Sequence, residues 1–297
     1  ARERLSPHAA QWDRDGTFPR EALSGLAAMG LMGICVPEKW GGAGLGYLAL
    51  SVAMEEVAAG DGGTSTVVGV NNLVANIIDG FGDDAQKQRF LKPVASGAMH
   101  ACFCLTEPHV GSDASAIRTS ARRDGTHWVL NGVKQFVTSG RNAGVGVVFA
   151  VTDKSAGKKG IGAFVVPTDT RGFTVARLEH KLGQHTSDTA QIVLEDCRVP
   201  EANLLGRDGE GYRIALSNLE GGRIGIAAQS VGLARSAFEA AREYARQRET
   251  FGKPIIEHQA VNFRLADMAT RIEVARQMVW HAASLRDAAR PCLKEAS

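Results

Sequence analysis

Two stretches of this chain place hydroxyls, a carboxylate and backbone groups where they could meet a ligand. One is Phe103-Cys104-Leu105-Thr106-Glu107-Pro108-His109-Val110-Gly111-Ser112-Asp113; the other is Lys134-Gln135-Phe136-Val137-Thr138-Ser139-Gly140. Each leaves strand-like sequence and enters residues rich in Gly, Pro and hydroxyls, the make-up of turns. Turns on a rigid scaffold are where a protein presents its contacts. The competing reading makes Thr106 and Thr138 turn hydroxyls that satisfy local backbone, and Phe136 a core residue. Glu220 and Arg223 stand three apart and so share one helical face; a solvated ion pair would explain them equally.

Metal and disulfide chemistry find little support. The five cysteines (Cys35, Cys102, Cys104, Cys197, Cys292) are odd in number and scattered, which points to a reducing compartment. Cys102 and Cys104 are expected to be small buried hydrophobes on opposite faces of a strand. The eight histidines show no His-x-x-x-His or Cys-x-x-Cys partner pattern, so no zinc site is expected. A net charge of +2 gives no reason to expect nucleic acid or an acidic membrane as partner. The longest apolar run, Val145 to Val151, is too short to span a bilayer. No charged segment followed by an apolar run opens the chain, so secretion is not expected. Ala1 in place of Met is expected of a trimmed or processed chain. Gly44-x-Gly46-x-x-Ala49 fits a loose dinucleotide fingerprint, but no strand feeds it and no βαβ unit follows, so a Gly-rich turn before a helix is the better reading.

The elements that must position these residues follow from periodicity. At 297 residues the chain can bury a large core and form one to three domains. Residues 1–100 read as helical, with Pro19 at a helix start, Gly30 as a stop and Asp83-Asp84 opening a later helix. Residues 101–206 change to period two. Trp128-Val129-Leu130, a turn at Asn131-Gly132 and Val133 to Val137 predict a β-hairpin. Further strands are expected at 145–151, 161–166, 173–178 and 190–194, giving an antiparallel sandwich or barrel. Residues 207–297 return to helix, with one long helix over 211–248 and another over 257–289. In the second, Val261, Leu265, Met268, Ile272, Ala275, Val279 and Ala282 form a bundle seam that needs a partner helix or subunit.

With both stretches in order, the chain resembles the acyl-CoA dehydrogenases, whose segments read roughly Thr-Glu-Pro-x-x-Gly-Ser-Asp and Lys-x-(Trp/Phe)-Ile-Thr-(Asn/Ser)-Gly. The likeness extends to Val36-Pro37-Glu38-Lys39-Trp40-Gly41-Gly42, Leu219-Glu220-Gly221-Gly222-Arg223 and Arg248-Glu249-Thr250-Phe251-Gly252-Lys253-Pro254 with His258-Gln259. It implies an N-terminal helical domain, a central β-domain and a C-terminal helical bundle. It also implies FAD as cofactor, an acyl-CoA substrate, an electron-transfer flavoprotein as electron acceptor, and a homotetramer. The compartment would be the cytoplasm of a bacterium or the mitochondrial matrix of a eukaryote.

The resemblance further implies roles. Phe103, Cys104, Leu105 and Thr106 would run beside the flavin ring, with the Thr106 hydroxyl at its pyrimidine edge. Phe136 would cover the ring face, Val137 would flank it, and Thr138 would reach the nitrogen that receives hydride. Ser112 would contact both cofactor and CoA; Lys158, Glu220 and Arg223 would contact substrate. Arg248, Thr250, Phe251, His258 and Gln259 would reach the pyrophosphate and adenosine of a neighbouring subunit's FAD, Arg by its planar fork. A basic residue at a helix C-terminus is otherwise a plain dipole effect.

The family's reaction needs a carboxylate to remove the substrate α-proton. One of its two placements falls on Gly222 here; Glu220, two residues away on a helix, would point to the other side. The other placement is a loop near the family's C-terminus, so the catalytic Glu is expected beyond Ser297 and none within residues 1–297. Gly221-Gly222-Arg223-Ile224 resembles the short-chain and short-branched-chain branch. Acyl groups of about four or five carbons follow, a soft preference because one methylene discriminates by only about 1–3 kcal/mol. Two other activities stay open: an acyl-CoA oxidase or flavin monooxygenase of the same fold, and a non-catalytic acyl-CoA-binding or assembly subunit.

Overall fold

The computed structural model describes residues 1–297. Its first layer is helical: α1 (Ser6–Asp15), α2 (Arg20–Ala28), α3 (Tyr47–Gly60), α4 (Gly62–Phe81), α5 (Asp84–Gln86) and α6 (Lys92–Ala95). Local chemistry starts these helices. The Asp61 carboxylate caps α4 by accepting from the Thr64 N–H at 2.6 Å, and Asp83 with Gln86 forms a capping box at α5. Residues Lys87–Leu91 widen into a π turn before Pro93, whose ring supplies no N–H for the regular ladder. The Gly44–Gly46 segment is the expected turn before a helix, and it binds protein: the Asp287 carboxylate accepts from the Tyr47 and Leu48 N–H groups at 2.6 and 3.0 Å. Gly46 permits that approach, since a Cβ there would lie 2.5 Å from Asp287 Oδ2.

A seven-stranded curled sheet follows, in the order β1-β4-β2-β3-β7-β6 with β5 paired to β4. The strands are β1 (Ala101–Cys104), β2 (Ser120–Asp124), β3 (His127–Thr138), β4 (Val145–Val151), β5 (Ile161–Pro167), β6 (Phe173–Leu178) and β7 (Thr189–Pro200). Most pairs are antiparallel, but β1 lies parallel to β4, and β2 touches β4 in parallel at Ser120–Val151. β4 is an unbroken apolar run because both its faces are buried. Val145, Val147 and Phe149 meet Val74, Ile77 and Phe90 of the helical layer, while Val148 and Ala150 pack with Trp128, Phe164 and Ile192 on the other side.

Two expectations are corrected. The hairpin does not turn at Asn131-Gly132; β3 runs straight through, and the turn is at Asp124–His127, with Gly125 at φ 59°. Gly132 has a different cause, because a Cβ there would come within 2.5 Å of Thr119 Oγ1. Asn131 instead braces β7, its Oδ1 accepting from the Asp196 N–H at 2.8 Å. Cys102 and Cys104 share one face, as residues two apart on a strand must, and their sulfurs stand 3.7 Å apart in the sheet's inner core.

The chain ends in α7 (Gly211–Gln247), a small hairpin of β8 (Glu249–Thr250) and β9 (Lys253–Pro254), then α8 (Gln259–Asp287) and α9 (Leu293–Ala296). α7 packs along α3 and α4, burying Ile224, Ala228 and Val231 against Met54 and Val67. In α8, Val279 and Ala282 of the seam are buried, whereas Met268 stays 39% exposed, so the first half of the seam is unpartnered. No helix is long and apolar enough to cross a membrane.

The junction of helices and sheet carries a pH liability. His100 packs edge-on against Phe18 at 5.5 Å, and its Nδ1 is buried without a partner. Desolvation, reinforced by the Arg20 charge, lowers its pKa. The folded state therefore binds this proton less readily than the unfolded chain, and stability is lost as pH falls below about 6.5. His100→Gln is expected to remove part of that slope, read as a smaller loss of denaturation midpoint between pH 7.5 and 5; an unchanged slope would refute this.

Candidate active site

β1 ends at Cys104, and Leu105–Glu107 turn away at once toward the far end of β3. Two bonds join them: the Gln135 N–H donates to the Thr106 carbonyl at 2.8 Å, and the Lys134 ammonium donates to the Leu105 carbonyl at 3.1 Å. The two stretches singled out in the sequence thus converge. The start of β1 is fixed from the helical layer, where Asn71 Oδ1 accepts from the Ala101 N–H at 3.1 Å.

Beneath the junction lies an ion pair that sequence reasoning missed. Lys134 is 0% exposed and meets Glu107 Oε1 at 2.8 Å. Glu107 also accepts from the Arg118 and Thr119 N–H groups at 2.7 and 2.9 Å. Burial alone would raise its pKa, but the Lys134 charge and these donors hold the carboxyl below its ordinary value. For Lys134 burial dominates and lowers the pKa, with Glu107 opposing. The signal was present, since each quoted stretch contributes one of the two opposite charges.

Above the junction, pairing of β3 with β7 slips between Lys134 and Val137. The slip turns Phe136 outward at φ 56°, and the ring is 62% exposed. A bulky residue in the left-handed region marks a constraint imposed by the surroundings, and Phe136 is no core residue. Thr106 and Thr138 are half-buried, and neither hydroxyl bonds to a protein group, so the turn-stabilising reading fails for both. The Thr106 N–H likewise has no backbone partner. Cys104, Leu105 and Val137 are buried behind this surface, and Phe103 lies 5.2 Å from Phe149. Ser112 is exposed on the following turn.

The remaining residues fall at three other places. Lys158 is exposed on the kinked 3-10 segment Lys154–Gly160 between β4 and β5, its ammonium 5.2 Å from the centre of the Tyr212 ring. Glu220 and Arg223 do not pair with each other. Glu220 accepts from the Cys292 thiol at 3.0 Å and lies 3.4 Å from Arg286, while Arg223 donates to the Ser297 hydroxyl at 2.9 Å. Arg248 ends α7 and is exposed, as is Gln259 at the start of α8. Between them, Thr250 Oγ1 and His258 Nε2 stand 3.0 Å apart, and Phe251, at φ 54°, is 98% exposed at the hairpin tip. The corner is thus assembled locally but is distant in sequence from the β-sheet turns.

A cavity of about 420 Å³ opens between α3, α4 and α7, walled by Leu50, Met54, Leu73, Leu219 and Ile226. Gly222 is in its lining, and no carboxylate is. Tyr47 closes one side, its hydroxyl 3.3 Å from Asn76 Nδ2, and burial raises its pKa.

Three family models cover the chain: the N-terminal, middle and C-terminal domains of acyl-CoA dehydrogenase match residues 1–98, 102–197 and 209–297. The short-chain specific mitochondrial acyl-CoA dehydrogenase of Rattus norvegicus is 45% identical over 298 residues, covering 100% of this chain and 72% of the rat protein. The structure of butyryl-CoA dehydrogenase from Megasphaera elsdenii superposes with a TM-score of 0.96 at 41% identity, over 99% of this chain and 78% of that one. A glutaryl-CoA dehydrogenase from Mycobacterium smegmatis, solved in complex with FADH2, gives 0.93 at 34% identity over 99% and 75%. Identity at this level along all three regions leaves one conclusion: the chain belongs to the acyl-CoA dehydrogenases, a family of flavin-dependent oxidoreductases.

Proposed function

We propose that this protein carries out FAD-dependent α,β-dehydrogenation of a short-chain acyl-CoA, straight or branched, to the 2-enoyl-CoA, with electrons passing to an electron-transfer flavoprotein. The observation that carries the reading is the junction of the two β-domain turns. An unpartnered Thr106 N–H, two unengaged threonine hydroxyls and an outward-facing Phe136 ring lie on the two segments that the Gln135–Thr106 bond joins. That set fits the edge and face of a planar heterocycle with acceptor atoms on its rim. A bound flavin supplies the hydride acceptor.

The chain's own residues do the rest. The Thr106 N–H and hydroxyl would hold the pyrimidine edge of the flavin, as fixed dipoles that favour the negative charge of its reduced form. With flavin bound, the Thr138 hydroxyl would hydrogen-bond the ring where hydride arrives, and Phe136 would cover a ring face. Phe103, Cys104, Leu105 and Val137 form the supporting wall. Ser112 would contact both cofactor and CoA, and Lys158 would contact the CoA nucleotide. Glu220 and Arg223 hold pantetheine and carbonyl groups; because Glu220 is committed to Arg286 and Cys292, Arg223 is the freer of the two. The cavity between α3, α4 and α7 takes the acyl chain in an apolar sleeve. The exposed corner of Arg248, Thr250, Phe251, His258 and Gln259 serves a neighbouring subunit's FAD, which requires an oligomer, a tetramer by family habit. In this reading residues 1–100, 101–206 and 207–297 are the three domains, and the proton-abstracting carboxylate comes from outside residues 1–297.

The test is direct. Residues 1–297 loaded with FAD should retain the flavin through gel filtration. Anaerobic butyryl-CoA should perturb its visible spectrum more than octanoyl-CoA does, without rapid bleaching. Failure to hold FAD, or indifference to every acyl-CoA, would overturn the reading. Rapid bleaching would remove the external carboxylate from it.

A further inference from the structure

We propose that the buried ammonium of Lys134 is a positioning group that polarises the Leu105–Thr106 peptide and so strengthens the Thr106 N–H as a donor to reduced flavin. The inference deepens the flavin reading above and rests on it. Its basis is a matter of which atoms share a bond. Lys134 Nζ lies 3.1 Å from the Leu105 carbonyl oxygen. The nitrogen of that same peptide unit belongs to Thr106, and resonance couples the two ends. A cation on the oxygen draws electron density from the nitrogen and makes its proton a better donor.

Three further features make the arrangement specific. Lys134 is 0% exposed, so water does not screen it, and a charge in low dielectric acts more strongly on its neighbours. Its counter-charge is shared: Glu107 accepts from Lys134 at 2.8 Å and also from the Arg118 and Thr119 N–H groups, with His109 at 3.7 Å, so the carboxylate is spread over several donors besides the ammonium. The Thr106 N–H has no backbone partner, leaving its whole donor capacity for a ligand. Lys134 also precedes Gln135, whose N–H holds the Thr106 carbonyl at 2.8 Å. One short segment therefore sets both the place and the strength of the donor.

A mere tether and a polarising charge are distinguished by the sign of two substitutions. In the FAD-loaded protein, Lys134→Met removes the cation, and Glu107→Gln removes the anion while keeping the cation. The readout is the flavin midpoint potential from dye-coupled anaerobic reduction, with FAD retention measured in parallel. Lys134→Met is expected to weaken binding of reduced relative to oxidised flavin by about tenfold, which is a fall of about 30 mV for a two-electron couple. Glu107→Gln is expected to shift the potential upward. Shifts of the same sign, no shift with flavin bound, or loss of FAD from both variants would each overturn the proposal. If Lys134→Met does not fold, Glu107→Gln decides alone, and a fall or no change refutes it. Failure of the wild-type protein to bind FAD would instead sink the flavin reading.

Discussion

Gly222→Glu is expected to speed the bleaching of bound flavin by butyryl-CoA at least ~100-fold over the unsubstituted chain, the lower end of what a positioned general base contributes. The geometry motivates the figure. Gly222 lines the apolar cavity, and a Cβ built there meets only Leu73 Cδ1, at 3.5 Å, so a longer side chain has room to enter. No carboxylate of residues 1–297 lies in that lining. Glu220 cannot reach it, because its carboxylate is turned to Arg286 and Cys292. A carboxylate there would sit among Leu50, Met54, Leu73 and Ile226, whose burial raises its pKa, and beside Arg223 of the same lining, whose charge lowers it. The bleaching rate should climb with pH through that carboxylate's pKa and level off above it. Replacing a mid-helix glycine by glutamate favours the helix by somewhat under ~1 kcal/mol, so misfolding is not the expected complication. A folded, FAD-loaded variant that bleaches no faster than its parent would show that position 222 does not face the reacting carbon.

The elements of this protein were legible where one face or one run decides the structure. α7 and α8 fall within two residues of their expected bounds, since long uninterrupted helices carry many repeats of the same spacing and are bounded by turn residues. The hairpin was not legible. Asn-Gly usually marks a turn, but here Asn131 is spent on Asp196 and Gly132 on the approach of Thr119, while Asp124-Gly125, an equal turn signal, makes the turn. Both are long-range contacts that no window of residues displays. The candidate site divides the same way. Its two turns were visible as hydroxyl-, Gly- and Pro-rich segments, and the structure joins them through the Gln135 N–H and the Thr106 carbonyl. The Lys134–Glu107 pair, the cap of Asp287 on α3 and the cavity at Gly222 all join segments far apart in the chain. Residue types there were visible, but their partners were not.

Glu55→Ala is expected to cost about 3–5 kcal/mol of stability, the range for removing one partner of a buried ion pair. Glu55 lies on α3 and is 5% exposed, so it must be compensated where it stands. Arg276 of α8 supplies that, its Nε 3.1 Å from both carboxylate oxygens and its second guanidinium nitrogen at 2.9 Å. Arg235 of α7 adds a contact at 3.4 Å and also pairs with Glu56 at 2.6 Å. The planar fork makes this a bidentate bond, and three helices distant in sequence are fastened at one point. Removing the carboxylate leaves the half-buried cation of Arg276 with only exposed Glu273 as partner, while Arg235 keeps Glu56. The apolar contacts of α8 are concentrated toward its C-terminal end, at Val279, Ala282, Ala283 and Leu285, so its earlier turns depend heavily on this clamp. Asp287, which caps α3 beside Tyr47, rides on the same helix. The loss should accordingly reach the cavity beside Gly222: a lowered denaturation midpoint together with weaker spectral response to butyryl-CoA. Glu55→Gln, which keeps the shape and one acceptor, should lose less than Glu55→Ala. Equal and small losses for both would mean that α8 is held by its apolar contacts alone.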